Sequence, residues 1–417
     1  MTHRLIQVTA HQIYLWFRGL WVFGLTLAFT VNLVYLVLIM ELDALQLVLV
    51  GTALELSAFL FEVPTGVVAD TYSRRLSILM GLMLMGASFF VFLVPIFSVI
   101  LLSQVILGLG WTFISGAETA WITDEIGEEA AGRAFLRAAQ VGQIATIAGI
   151  VVSVSLAMVD LRLPILLAGV VLMLTAVYLF VIMPETGFTP ASPDERTRWR
   201  SMVDTTVAGA RVIRGEPMLL TLVVIIFIWG AFSEGFDRLW TLHLLDNFTL
   251  PTPGELDVVV WFGVIGIVSM LISLGVTEFL RRHVDITDRI AIARTLTVAN
   301  MTLIIIMPVF ALTGAFWLAL ITLWIITAMR NIQYPLREAW INQGLDSRVR
   351  ATVISMTSQT DAIGQIVGGP GIGLIGRQFG VRVALTLGSV ILLPTLWLYG
   401  RTIHHNAHSD DTPTEQP

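Results

Sequence analysis

The chain has 417 residues, 56% hydrophobic and only 13% charged, with a mean hydropathy of +0.83 and a formal charge of −6. A soluble protein carries about 25% charged residues, so this composition excludes an ordinary soluble domain. Cysteine and lysine are both absent, which excludes disulfides, thiolate chemistry and Schiff-base catalysis, and Arg supplies the permanent positive charge.

The polar start MTHRLIQVTAHQ leads into an apolar run at 13–37, too long for a cleavable signal core. Eleven more runs follow, at 45–69, 76–95, 98–122, 135–159, 164–183, 217–243, 256–280, 290–313, 315–341, 351–376 and 381–402. Each is long enough to cross a hydrocarbon layer roughly 30 Å thick, and only a helix satisfies the backbone of such a run in lipid. The connections alternate in charge. One set holds Arg74, Arg75, Arg133, Arg196, Arg198, Arg200, Arg211, Arg214, Arg281, Arg282, Arg289, Arg348 and Arg350; the other holds only Arg162, Arg377 and Arg382. Positive charge stays inside, so both termini are expected in the cytoplasm.

In the first span Arg18 lies about 10 Å from the Arg-rich end at 1.5 Å per residue. Glu62 in the second span has the same depth, which predicts a buried Arg18–Glu62 pair with Glu118 as competitor. Glu55 lies near mid-membrane, with no basic residue at its depth in this half, and is the first candidate for proton exchange. The second span ends in FEVPTGVVADTYSRR. Gly66 there lets a neighbouring helix approach. Asp70 can accept from Arg74, from Arg75 or from the N–H groups of a neighbouring helix start, forming a cytoplasmic gate.

The fourth span carries Gln104, Trp111, Ser115 and Glu118 on one face and ends in ETAWITDE. The fifth holds GQI at 142–144. The longest connection, 184–216, contains RWRSMVDTTVAGARVIR, with apolar residues at helical spacing that fit an amphipathic surface helix. The seventh span holds Glu234, Asp237 and Arg238. Glu234 and Arg238 can pair four residues apart, leaving Asp237 as the net charge. In the tenth, Arg330, Asn331 and Tyr334 precede REAWINQG; in the eleventh, Asp361 and Gln365 accompany a second GQI at 364–366. Equal depths predict an Arg330–Asp361 pair. The shared tripeptides, at nearly one offset, mark a six-plus-six repeat with its substrate path near the bilayer midplane. The cavity candidates are Gln104, Trp111, Ser115, Glu234, Asn331, Tyr334 and Gln365, and the proton-coupling candidates are Glu55, Asp361 and Asp237.

With Gly66, Asp70, Arg74 and Arg75 in place, GVVADTYSRR resembles the loop 2–3 signature of the major facilitator superfamily, with Ser73 where a second Gly is usual. FEVPTGVVAD, GAETAWITDE and SEGFDRLW are most similar to bacterial drug exporters of the macrolide and tetracycline kind. Two departures stand out. Gln104 occupies the position of an Arg common in drug–proton antiporters, and GQIATIAG lacks the Pro of the antiporter signature, whose nearest likeness is GQIVGGPGIG in the eleventh span.

The expected fold is an all-α polytopic membrane protein of twelve transmembrane helices in two six-helix bundles. Residues 1–183 form one bundle, 184–216 the linker, 217–403 the other bundle and 404–417 a disordered tail. The resemblance implies a secondary transporter of the bacterial inner membrane working by alternating access, through proton-coupled efflux of a lipophilic or cationic small molecule. Import or facilitation of a sugar, amino acid or nucleoside is the alternative, and a non-transporting sensor or scaffold the second. Small-molecule substrate, protons and the lipid bilayer are the expected partners, with no nucleic acid, and the chain is expected to be a monomer. No cofactor, enzyme motif or metal site is expected, since no phosphate-binding loop or metal-ligand spacing occurs and His404, His405 and His408 lie in the polar tail.

Overall fold

A computed structural model describes residues 9–190, 211, 213–251, 257–343 and 347–409. The amphipathic linker helix expected from the sequence falls largely on 191–210, outside the described residues. The regular structure described is helical: α1 (Ala10–Phe29), α2 (Asn32–Leu38), α3 (Ala44–Thr71), α4 (Arg74–Phe92), α5 (Phe97–Ile114), α6 (Ala117–Ile126), α7 (Glu128–Ala157) and α8 (Arg162–Ile182) come first. Then follow α9 (Pro217–Asn247), α10 (Val259–His283), α11 (Arg289–Leu312), α12 (Phe316–Asn342), α13 (Ser347–Phe379), α14 (Val381–Val390) and α15 (Leu393–Ser409).

Among the described residues eleven helical stretches are long and apolar enough to span a membrane. The expected span not among them, the eleventh, is α13, which is 33 residues long, but Gln359, Asp361, Gln365 and a run of glycines dilute its hydropathy. Three expected spans are broken helices. The break in the fourth falls at Gly116, whose φ of +74° only glycine adopts without strain. It separates α5 from α6 and re-aims everything that follows. At the C-terminal end, helix continues from 404 to Ser409, where a disordered tail was expected from the polar sequence. Extending an existing helix adds one hydrogen bond per residue without a new nucleus.

Contacts group the helices into two units. The first contains α1, α2, α3 from Ala53 onward, α4 to α8, and α10 as far as Gly266; the second contains the first residues of α3, through Thr52, with α9, the rest of α10, and α11 to α15. Within the first unit α1 packs on α7 and α8, and α4 on α5 and α8. Lipid gives no hydrophobic drive for such contacts, so small residues and close backbone approach supply the van der Waals energy. A Cβ on Gly81 would fall 2.7 Å from the carbonyl oxygen of Gly110, and one on Gly110 would fall 2.9 Å from that of Gly81. In the second unit α9 and α13 meet similarly: a Cβ on Gly368 would fall 2.6 Å from the carbonyl oxygen of Ala231.

The loop between α3 and α4 is a charged knot inside the first unit. Ser73 caps α4 by accepting from the Leu76 N–H at 2.8 Å. Its own hydroxyl donates to Glu185 at 2.7 Å, and the Arg75 N–H donates to the other Glu185 oxygen at 2.9 Å. Arg74 binds Asp124 and the Ala120 carbonyl (2.9 Å) on α6, while Asp70 lies 3.7 Å away on its other side. Arg75 donates instead to the Phe180 carbonyl. Thus Asp70 is the weaker of two carboxylates on Arg74, and Asp124 with Glu185 complete a knot that the signature alone does not reveal. Gly66 is a correction. Among the described residues nothing lies within 4 Å of the place its Cβ would take, so it seats no neighbouring helix here.

These two environments predict opposite outcomes for the same change. Gly110→Ala forces overpacking, at about 1–3 kcal/mol, and should lower the melting temperature of the detergent-purified protein. Gly66→Ala should leave it unchanged or slightly raised.

Candidate functional site

Charged side chains inside spanning helices cost several kcal/mol unless neutralised, so their partners define the chemistry. In the first unit the Gly116 break carries the first turn of α6 onto α1. Arg18 Nη1 donates to both oxygens of Glu118, at 2.8 and 3.0 Å. The guanidinium also lies 4.9 Å from the centre of the Trp21 ring, which in turn is 5.5 Å from Trp111. The expected Arg18–Glu62 pair is therefore wrong. Equal depth was the argument for it, but Glu62 is exposed on α3 and forms no ion pair among the described residues. Glu55, half-buried on α3, has a partner of its own, contrary to the unpaired carboxylate expected.

The second unit holds two pairs on α9. Arg238 Nε donates to Glu234 at 2.9 Å, and the Glu234 side chain is only 2% exposed. A Cβ on Gly51 of α3 would collide with this pair, so glycine there gives it room. Glu234 thus belongs to a packed core rather than a cavity wall. Arg330 on α12 meets Asp237 at 2.7 Å, with its guanidinium 4.7 Å from the centre of the Phe236 ring. This overturns two expectations, that Arg330 pairs with Asp361 and that Asp237 is the unpaired charge. Rotation about the helix axis decides both: Asp237 is turned toward α12, while Asp361 belongs to the stretch of α13 whose backbone presses on Gly230 of α9.

Asp361 instead accepts from Gln365 Nε2 at 2.8 Å through Oδ2, and its Oδ1 is buried without a hydrogen-bond partner. It borders a cavity of ≈ 160 Å³ together with Tyr334, Arg337 and Glu338 of α12 and Thr357 and Ser358 of α13. Ile226, Ile341 and Ile354 supply apolar wall. The Tyr334 hydroxyl donates to Glu338 at 2.8 Å.

Arg337 is the residue that sequence reading passed over. It is only 8% exposed, its guanidinium lies 5.1 Å from the centre of the Trp229 ring, and Nη1 is buried with no hydrogen-bond partner among the described residues. A cation–π contact offers about 2 kcal/mol when desolvated, less than the several kcal/mol that an unpaired buried charge costs. In the sequence Arg337 enters only as the first residue of REAWINQG, a mark of the repeat. Its place on one helical stripe with Ile326, Gln333 and Trp340, all buried, is the signal that could have found it.

The remaining cavity candidates are dispersed. Gln104 is buried in the first unit beside Ala28 and Phe29, donating to Ser103 at 3.2 Å. Ser115 ends α5, Trp111 and Asn331 are exposed, and Gln365 acts through Asp361. Of the seven, Tyr334 alone is brought to the Arg337–Asp361 cavity.

A sequence profile described as Major Facilitator Superfamily matches residues 19–329. The chain is 23% identical to the Uncharacterized MFS-type transporter YxaM of Bacillus subtilis (strain 168) over 362 residues, 86% of this chain and 88% of that protein. Among solved structures, the nucleoside transporter NupG superposes with a TM-score of 0.72 at 14% identity, covering 95% of this chain and 99% of that one. A POT family transporter in complex with a thioalcohol-conjugated peptide gives 0.72 at 13% identity, covering 94% and 96%.

The pairing of Arg18 has a direct check. Glu118→Gln leaves the guanidinium without a counter-charge and should cost about 3 kcal/mol, seen as a large fall in melting temperature. Glu62→Gln, remote from any ion pair, should shift stability by less than about 0.5 kcal/mol; equal effects would restore the depth-matched pairing.

Proposed function

The chain belongs to the Major Facilitator Superfamily, and from that membership we propose that this multi-pass membrane transporter is a proton-coupled carrier of a polar small molecule. In this reading the cavity of the second unit is the solute chamber and Asp361 is the proton carrier. The observation that carries it is the half-satisfied Asp361 carboxyl, one oxygen held by Gln365 and the other buried bare, at the edge of that cavity. A carboxyl so placed holds a proton in one state and a charge in the other, with Gln365 fixing its orientation in both. Asp237 is less suited because Arg330 already neutralises it. Glu55 is engaged elsewhere and is absent from the cavity wall.

The same lining chooses between the solutes considered from sequence. Arg337 stands against Glu338 and Asp361 in the lining, a mixed-charge wall in place of the apolar, uniformly acidic one that suits a lipophilic cation, and Thr357, Ser358 and Tyr334 offer hydrogen bonds. The resemblance to drug exporters favours export of lipophilic or cationic compounds; the cavity chemistry favours the polar-solute alternative, and we adopt it. One proton crossing about 100 mV releases roughly 2.3 kcal/mol, enough for a solute gradient of about 50-fold.

Uptake by cells expressing the wild type or Asp361→Asn, with and without protonophore, tests this reading. The probes are uridine, a dipeptide, benzoate and tetraphenylphosphonium. Accumulation of a polar probe should fall by about tenfold or more with either treatment, while tetraphenylphosphonium accumulation, which follows the membrane potential, should be the same in cells expressing the wild type, Asp361→Asn or neither. Protonophore-sensitive extrusion of tetraphenylphosphonium that survives Asp361→Asn would overturn it in favour of cation export.

A further inference from the structure

We propose that Arg337 is a binding residue for a carboxylate-bearing solute, its guanidinium lining the cavity with no salt bridge to a carboxylate among the described residues. This rests on the transporter reading above and names the solute class that the same chamber accepts. Three observations converge. Arg337 is only 8% exposed yet has Nη1 without a hydrogen-bond partner among the described residues. Three other arginines that are not exposed on the spanning helices, Arg18, Arg238 and Arg330, each hold a carboxylate at 2.7–2.9 Å. And the carboxylates that share its cavity are turned to other groups, Glu338 to Tyr334 and Asp361 to Gln365.

A guanidinium offers a planar fork that matches a carboxylate in two parallel N–H···O bonds. Trp229 beneath it and the isoleucine wall exclude water from one side, which strengthens such a bond. Thr357 and Ser358 face the same space and can meet the rest of the solute through their hydroxyls. Neutral isosteres gain none of the charge-assisted component, and a cation meets repulsion.

Asp361 then acts as an internal competitor. Ionised, it offers Arg337 a rival anion across the cavity; protonated, it leaves the guanidinium to the solute. The groups that surround this exchange are Tyr334, Arg337, Glu338 and Arg330 of α12, Asp237 and Glu234 of α9, Gln365 of α13 and Tyr399 of α15. Arg330, Asp237 and Glu234 are already paired among themselves and with Arg238, so Asp361 is the carboxyl whose charge changes what Arg337 can hold. Carboxylate binding and protonation are therefore mutually reinforcing.

The test is ligand-induced thermal stabilisation of the detergent-purified full chain. Benzoate, benzamide and benzyltrimethylammonium are the soluble probes, and mixed micelles containing phosphatidylglycerol are a separate arm. Benzoate should stabilise the wild type with an apparent affinity about tenfold or more above that of benzamide, and the cation should not stabilise it. Arg337→Gln should abolish this preference, while Arg337→Lys, which keeps the charge but loses the fork, should retain part of it. Equal stabilisation by benzoate and benzamide, no stabilisation by benzoate, or a preference that survives Arg337→Gln would overturn the proposal. Phosphatidylglycerol stabilising through Arg337 while benzoate does not would assign the site to a lipid headgroup and overturn it equally. Lowering the pH from about 8 to about 6 should tighten benzoate binding, and Asp361→Asn should make it tight at both. If the benzoate preference stands but this pH response survives Asp361→Asn, Arg337 keeps its role and the assignment of Asp361 as proton carrier fails.

Discussion

Charge neutralisation in a medium that cannot solvate charge governs the interior of this protein. An Arg or carboxylate in a spanning helix is tolerated only beside its opposite or beside water. Three membrane arginines meet that demand with Glu118, Glu234 and Asp237. Each pair uses a different device. A glycine break turns α6 so that Glu118 reaches α1; helical spacing joins Glu234 to Arg238; two separate helices bring Asp237 to Arg330. Once these are accounted for, Arg337 and Asp361 stand out as the charges for which the fold has made incomplete provision, and they share one cavity.

Such pairs form only where helices come close, and the small residues decide where that is. Gly51 leaves the room that the Glu234–Arg238 pair fills, and Gly230 admits the backbone of α13 at Asp361. Close approach at Gly230 sets the rotation of α13, and hence which neighbour the Asp361 carboxyl can reach. Sequence glycine therefore acts twice, once by lending contact surface in lipid and once by aiming charge. The glycines of α13 that pack on α9, Gly364 and Gly368, lie beside the proton-carrier candidate on the same helix.

Composition made the membrane class legible, and the length of apolar runs made the helices legible, because both rest on bulk transfer free energies that need no partner. The loop signature GVVADTYSRR located the Arg74 knot, although Asp124 and Glu185, its stronger partners, come from segments about fifty and more than a hundred residues away. Ion pairing was read from depth, a single coordinate along the helix, and failed at Arg18 and at Arg330. Azimuth and helix breaks supply the missing coordinates. Gly116 was visible in the sequence, but glycines are common in spanning helices, and nothing local marks one as a left-handed break. Arg337 was lost because, as the first residue of REAWINQG, it counted only toward the internal repeat.

If Arg337 and Asp361 act as one unit, the direction of coupling follows from their charges. A group that competes with the proton for the same carboxylate is exchanged against protons, which is how a cationic solute would be exported. A solute that competes with the carboxylate for the same guanidinium is favoured when that carboxylate is protonated, so solute and proton travel together. With the proton gradient directed inward, the second arrangement drives accumulation. In the proposed reading, where solute and Asp361 compete for Arg337, the coupling is co-transport, whereas the exporter resemblance rests on short stretches outside the cavity. Chemistry at the chamber wall is the stronger guide, because coupling is a property of the groups that exchange protons and solute, not of the helices that carry them.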